Sequence, residues 1–283
     1  MENIMKKELG ISSSIGGYIG DFSEEVLAEY ERNGVKYCEV SIGNLYYLDR
    51  SIFATDPKGT VELAAKHGVT FWSFHLPFSQ KLHPANLDDE ADKWAMEILE
   101  KYTRVALEMG IKIVVIHPSS EPNEDKDRPA LLEKAIKNLA YLSKICRENG
   151  AVLAVEDLPR TCLCNCSDEM LQVLRAVPDL QMTFDTNHIS KQTNPEFLQA
   201  LLDGGMKGRI ETVHICDYDG GDERHRLPFD GTNDWAEIAR LLDELDFRGV
   251  AMYELSKPRD RDAHITIPEV VENYKKLREV TVW

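Results

Sequence analysis

Eight short runs rich in β-branched, aromatic and other apolar residues punctuate the chain. They lie near residues 10–15, 36–42, 69–75, 111–117, 151–156, 180–185, 209–215 and 249–254. Each is bounded by Gly, Pro or polar residues, which predicts eight strands. Between them apolar positions recur at spacings of three and four, as on one face of a helix. Ser23 opens the first helical stretch, with Glu24 and Glu25 in its first turn, and Gly34 closes it. Residues 57–67 begin at Pro57 and stop at Gly68, residues 89–109 stop at Gly110, and residues 129–148 stop before Gly150. Ser167 opens a fifth helix that ends ahead of Pro178, and residues 195–203, 234–245 and 268–279 complete the set.

Strand and helix thus alternate along the whole chain, with Gly-Ile, Gly-Val or Gly-Ala at several helix-to-strand joints. That order predicts an α/β protein, a (β/α)8 TIM barrel formed by one domain over residues 1–283. An open doubly wound sheet would want a phosphate-binding glycine loop after its first strand. The segment there, SSSIGGYIGD, lacks the GxGxxG register and does not run straight into a helix. No long Pro/Ser linker splits the chain, and the polar segment 121–129 (EPNEDKDRP) is expected to be a surface excursion over the barrel mouth.

The ends of these runs carry the chemistry. His75, His117, Glu156, Asp185, His214 and Glu254 close six successive runs, 42, 39, 29, 29 and 40 residues apart. In a parallel barrel the strand C-termini share one face, where active sites sit. Glu156, Asp185, His214 and Glu254, from the last four strands, would surround one cation. Three carboxylates and an imidazole suit a single divalent ion, Mn²⁺ first, with Mg²⁺, Co²⁺ or Zn²⁺ also accommodated. A lone strand-end carboxylate more often caps a helix or pairs with Arg. Several in register are different, because burying so much like charge without a cation is strongly unfavourable. His75, His117, His188, Asp217, Glu223 and His225 form a surrounding layer expected to bind a polyol substrate, move protons or hold further metals, with Asp219 and Asp222 nearby. His67, His83 and His264 lack such placement and are expected at the surface.

Composition narrows the partners. Thirty-three basic against 49 acidic residues give a net charge of −16 with no Lys/Arg cluster, which disfavours duplex nucleic acid as a partner. No run approaches 18 apolar residues and MENIMKKELG has no apolar signal core, so no membrane span and a cytoplasmic location are expected. The six cysteines include the alternating Cys162-Leu-Cys-Asn-Cys166. Structural zinc sites leave two or more residues between paired cysteines, so these are expected to be reduced thiols.

Taken together, the segments VEDLPR, TFDTNHI, HICDYDGGDERHRLPFDGTNDW and YEL resemble the xylose isomerase-like barrel superfamily. That group includes D-tagatose 3-epimerase-type sugar epimerases, hydroxypyruvate isomerase, inositol-catabolism enzymes and endonuclease IV. The resemblance implies that Glu156, Asp185, His214 and Glu254 bind the metal. In the epimerase branch it makes Glu156 and Glu254 the catalytic acid/base pair: one takes a proton from the carbon beside a carbonyl and the other returns one, through a metal-held enediolate. His188 would contact substrate oxygens. The implied activity is metal-dependent isomerisation or epimerisation of a sugar, keto-sugar or polyol. A keto-sugar or inosose dehydratase or lyase would use the same site, whereas a non-catalytic sugar-binding barrel would not need both glutamates. Superfamily members commonly form homo-dimers or homo-tetramers.

Endonuclease IV, an apurinic-site phosphodiesterase, uses nine ligands for three zincs. This chain has a candidate for each: His75, His117, Glu156, Asp185, His188, His214, Glu223, His225 and Glu254, with Glu223-x-His225 where that family has Asp-x-His. Two positions depart from the epimerase pattern. Asp157 follows Glu156 where Asn is common, and Cys216-Asp217-Tyr218-Asp219 stands where tagatose-type epimerases carry an Arg, leaving Arg224 or Arg226 as substitutes.

Overall fold

The computed structural model describes residues 7–13, 23–42, 51–188, 191–257 and 264–283. Eight strands, β1 (Leu9–Ser12), β2 (Tyr37–Ser41), β3 (Thr70–His75), β4 (Ile113–Ile116), β5 (Val152–Glu156), β6 (Gln181–Asp185), β7 (Ile210–Ile215) and β8 (Ala251–Tyr253), pair in sequence order and close into a barrel. Every pairing is parallel, including the closing one between β1 and β8. All strand C-termini therefore open on one face.

Helices α1 (Glu24–Arg32), α2 (Ile52–Thr55), α3 (Pro57–Lys66), α4 (Asp89–Glu108), α5 (Arg128–Glu148), α6 (Ser167–Ala176), α7 (Asn194–Asp203), α8 (Trp235–Glu244) and α9 (Ile267–Val280) connect the strands. Their patterning explains their seating. In α4 the buried positions Ala95, Leu99, Tyr102, Thr103 and Ala106 recur at three and four, and in α8 Trp235, Ile238, Ala239, Leu241 and Leu242 do the same. Thr193 with Glu196, and Thr266 with Glu269, form capping boxes that start α7 and α9 after their loops. Gly110 (φ 77°) and Gly150 (φ 67°) follow the ends of α4 and α5 in the left-handed region that glycine enters without a Cβ clash.

The eight predicted strands and eight predicted helices match this order. The short α2, capped by Ser51, was not expected: four residues carry too little periodicity to read. His117 and Glu254 fall one residue beyond their strands. Residues 14–15 of the first predicted strand, with most of SSSIGGYIGD, lie outside the described residues. The polar loop before α5 is pinned to the loop after β5, where Asn123 bonds Thr161 and Glu121 receives Arg160.

Two histidines expected at the surface are not there. His83 is buried, its Nδ1 accepting the Ala85 N–H at 3.2 Å, and its neighbour Pro84 offers its carbonyl to Asn138 of α5 at 2.8 Å. His67 is partly buried, 2.8 Å from Glu31. His264 is exposed. All six cysteines are unpaired thiols. Among the described residues no helix is long and apolar enough to cross a membrane.

Candidate metal centre

Barrel register sets the site. Asp185 at the end of β6 pairs with His214 on β7, and Glu156 at the end of β5 pairs with Thr183. With Glu254 just after β8, these side chains converge in the barrel mouth. Glu156 Oε1 and Glu254 Oε2 each lie 3.0 Å from His214 Nδ1, and Asp185 Oδ2 lies 3.5 Å from the same nitrogen. One ligating atom from each of the four falls within 4.8 Å of the others.

A second set stands on the β3–β4 side. His75 Nε2 is 3.1 Å and His117 Nε2 3.3 Å from Glu156 Oε2. His75 Nδ1 donates to the Leu76 carbonyl at 2.8 Å, which turns Nε2 toward the centre, and Phe78 stacks on His117 with centroids 4.0 Å apart. A third set lies under the loop after β7. Glu223 Oε1 is 3.4 Å from His188 Nε2 and 3.3 Å from His225 Nε2. His188 Nδ1 donates to the Asp157 carbonyl at 2.7 Å, and Arg160 holds the other Glu223 oxygen at 2.8 Å.

The electrostatics follow from crowding charge in a buried place. Burial alone would push Glu156 up. The charge on His214 and the bonds from His117, His214 and His75 outweigh it and hold the carboxyl well below the usual range. For Glu254 and Glu223 burial likewise opposes the charge, and their imidazole neighbours bring both down. Burial would lower His214 and His188, yet the surrounding carboxylates carry both well up. His117 is the exception, since burial wins and lowers it. Burial also raises Asp157, whose Oδ1 accepts the Asp185 N–H at 2.9 Å.

These residues fit a divalent cation. Asp185 is fully buried, and its Oδ2 has no hydrogen-bond partner among the described residues. That oxygen lies 3.5 Å from His214 Nδ1 and 3.9 Å from His188 Nε2 without bonding either, so a cation held by the deprotonated ring would give it the partner it lacks.

A family model of xylose isomerase-like TIM barrels matches residues 27–279. The chain belongs to that family. Its relatives include an uncharacterized protein of Methanocaldococcus jannaschii, 26% identical over 209 residues, spanning 72% of this chain and 69% of that protein. Among solved structures, this xylose isomerase-like barrel superposes on a D-tagatose 3-epimerase-like protein with TM-score 0.78 at 22% identity, covering 96% of each chain. It superposes on a D-psicose 3-epimerase from Clostridium cellulolyticum H10 with TM-score 0.76 at 15% identity, covering 96% of this chain and 99% of the other.

Nine of the ten side chains expected at the site of this xylose isomerase-like barrel come together; Asp217 is placed elsewhere. Its carboxylate is fully buried and accepts from Phe229 N at 2.7 Å, Asn233 N at 3.0 Å and Trp235 Nε1 at 3.2 Å. Those bonds hold the loop after β7 and occupy both oxygens of Asp217. Arg224 and Arg226 pair with Asp219, at 3.0 and 3.8 Å.

Sequence reasoning missed Glu39. It sits mid-strand in β2, fully buried, with Oε2 3.2 Å from His214 Nε2 and accepting from Ser73 Oγ at 2.7 Å. A lone carboxylate inside YCEVS was the available signal.

Proposed function

We propose that this protein is a divalent-metal-dependent isomerase or epimerase of a small sugar, keto-sugar or polyol. The observation that carries this is the convergence of Glu156 Oε1 and Glu254 Oε2 on one point, each 3.0 Å from His214 Nδ1. Glu156, Asp185, His214 and Glu254 would hold the cation, which when bound polarises substrate oxygens and stabilises the charge that develops on them. Both glutamates are kept ionised by their imidazole neighbours, as bases must be. One would take the proton from the carbon beside the carbonyl, and the other, once it has taken up a proton from solvent, would give it to the opposite face, so that one proton is removed and one returned. His188, with Nδ1 fixed by the Asp157 carbonyl and Nε2 3.4 Å from Glu223, would offer Nε2 to a substrate hydroxyl. The D-tagatose 3-epimerase-like and D-psicose 3-epimerase structures that share this barrel support a sugar as substrate class. Incubating the metal-supplemented protein with ketoses, keto-acids and inositol derivatives in D₂O tests this. Deuterium uptake beside a carbonyl is expected, and no uptake with any of them contradicts it.

A second reading, a three-metal phosphodiesterase of the endonuclease IV kind, is favoured by one specific arrangement. The sets His75–His117–Glu156 and Glu156–Asp185–His214–Glu254 share Glu156, with His188–Glu223–His225 alongside. The net charge of −16 weighs against a nucleic-acid substrate. Counting metals per chain separates the two: three retained zincs with cleavage of apurinic DNA favour the phosphodiesterase, and proton exchange with one essential ion favours the sugar enzyme.

A further inference from the structure

The loop after β7 brings a thiol to the edge of the centre. Cys216 is fully buried, with Sγ 3.3 Å from His225 Nδ1 and 3.5 Å from Asp185 Oδ1. A buried cysteine usually packs as a small apolar side chain. Here its sulfur meets an imidazole and a carboxylate instead. The ligating atoms of Asp185, Cys216 and His225 all lie within 4.8 Å of one another. Donors around one tetrahedral ion stand roughly 3.5 Å apart, given metal–sulfur bonds of about 2.3 Å and metal–nitrogen bonds of about 2.0 Å.

Asp185 links the thiol to the four-residue set. Its Oδ1 accepts the Asn187 N–H and also faces the thiol, while its fully buried Oδ2 has no hydrogen-bond partner among the described residues and lies 3.5 Å from His214 Nδ1. One carboxylate thus faces the four-residue set with one oxygen and the thiol with the other. His225 is divided in a similar way: Nε2 faces Glu223, and Nδ1 lies 3.3 Å from both Cys216 Sγ and the Glu254 carbonyl, a contact that ligation by Nδ1 would replace. Its backbone is secured by an N–H bond to Asn187 Oδ1 at 2.9 Å.

We propose that Asp185, Cys216 and His225 form a second, sulfur-containing cation site beside the four-residue set, sharing Asp185 with it, and that it takes a thiophilic divalent ion of the Zn²⁺ or Co²⁺ kind rather than Mn²⁺ or Mg²⁺. The inference rests on the metal-centre reading above. A thiolate with an imidazole selects softer ions than an all-oxygen set does. Three protein donors leave a fourth position open for water or a substrate oxygen. On coordination the S–H bond is replaced by a sulfur–metal bond and the proton passes to solvent.

Titrating the metal-free chain with Co²⁺ and recording absorption tests this. Visible d–d bands report Co²⁺ bound anywhere in the centre, and a near-ultraviolet sulfur-to-cobalt charge-transfer band reports a thiolate ligand. Both are expected in the wild type, and Cys216→Ser should keep the visible bands while losing the charge-transfer band. Visible bands without charge transfer in the wild type, or charge transfer that persists in Cys216→Ser, overturn the proposal and leave the four-residue set standing. No visible bands at all would remove the set and the proposal together. Should Cys216→Ser fail to fold, Cys216→Ala takes its place, and ¹¹³Cd NMR of the wild type reads the same question. A sulfur ligand moves the resonance well downfield, and a resonance confined to the oxygen-and-nitrogen range overturns the proposal.

Discussion

Glu39 Oε2 lies 3.2 Å from His214 Nε2, the ring nitrogen opposite the one that meets Glu156, Asp185 and Glu254. β2 and β7 are not neighbours in the barrel, so this contact reaches across its interior. Nε2–H donates to Glu39, which leaves Nδ1 for the centre, and Ser73 holds the same Glu39 oxygen at 2.7 Å. A carboxylate behind a ligating imidazole fixes its tautomer and raises its basicity. Glu39→Ala should weaken metal binding about 10- to 100-fold, with Glu39→Gln intermediate. Competition against a chelating dye measures this, and unchanged affinity in Glu39→Ala would show that Glu39 does not support His214.

Glu156→Gln and Glu254→Gln should each lower turnover by about 10²- to 10⁴-fold with the fold intact, because each removes one of two proton-transfer groups. Steady-state rates on the true substrate, alongside circular dichroism, check this. Full activity in either variant would end the two-base account.

His75 gives the pH dependence. Burial works against its charge, but the bond to Glu156 and the charges of Glu156, Glu39 and Glu254 outweigh it and carry the ring up to about 9. A raised pKa in the folded state means stability that is fully present below the unfolded value of about 6.5 and lost as pH rises through about 9. The metal-free protein should therefore lose stability between about pH 6.5 and 9, read as urea midpoints across that range. His75→Gln should make that urea slope shallower, with His214 and His188 carrying the remainder, and an unchanged slope would show that this ring contributes none of it.

Asp217 is expected to matter for stability. Asp217→Ala strands the Phe229 and Asn233 amides and the Trp235 indole N–H, and should cost about 3 kcal/mol or more in urea unfolding. A variant of wild-type stability would show that the loop finds other acceptors.

The barrel and the convergence of the four-residue set are legible because each of those side chains ends an apolar run, and parallel strands bring their ends to one face. Other residues were hidden for physical reasons. Glu39 lies inside a strand, and only barrel closure sets β2 opposite β7. Asp217 shares an acidic run with Asp219 and Asp222, and nothing in that run tells a carboxylate that folds a loop from one that faces the mouth. His83 looked exposed in a polar stretch, but Asn138 of α5 draws that stretch inward through the Pro84 carbonyl. Cys216 was read only as a departure from a pattern, since its two polar contacts come from β6 and from a later turn of its own loop.

An anomalous difference map from crystals of the protein saturated with Mn²⁺ or Zn²⁺, recorded at the metal edge, tests the central claim most directly. A peak bounded by Glu156, Asp185, His214 and Glu254 is the expected result. A saturated crystal with no peak among those four side chains would contradict the account.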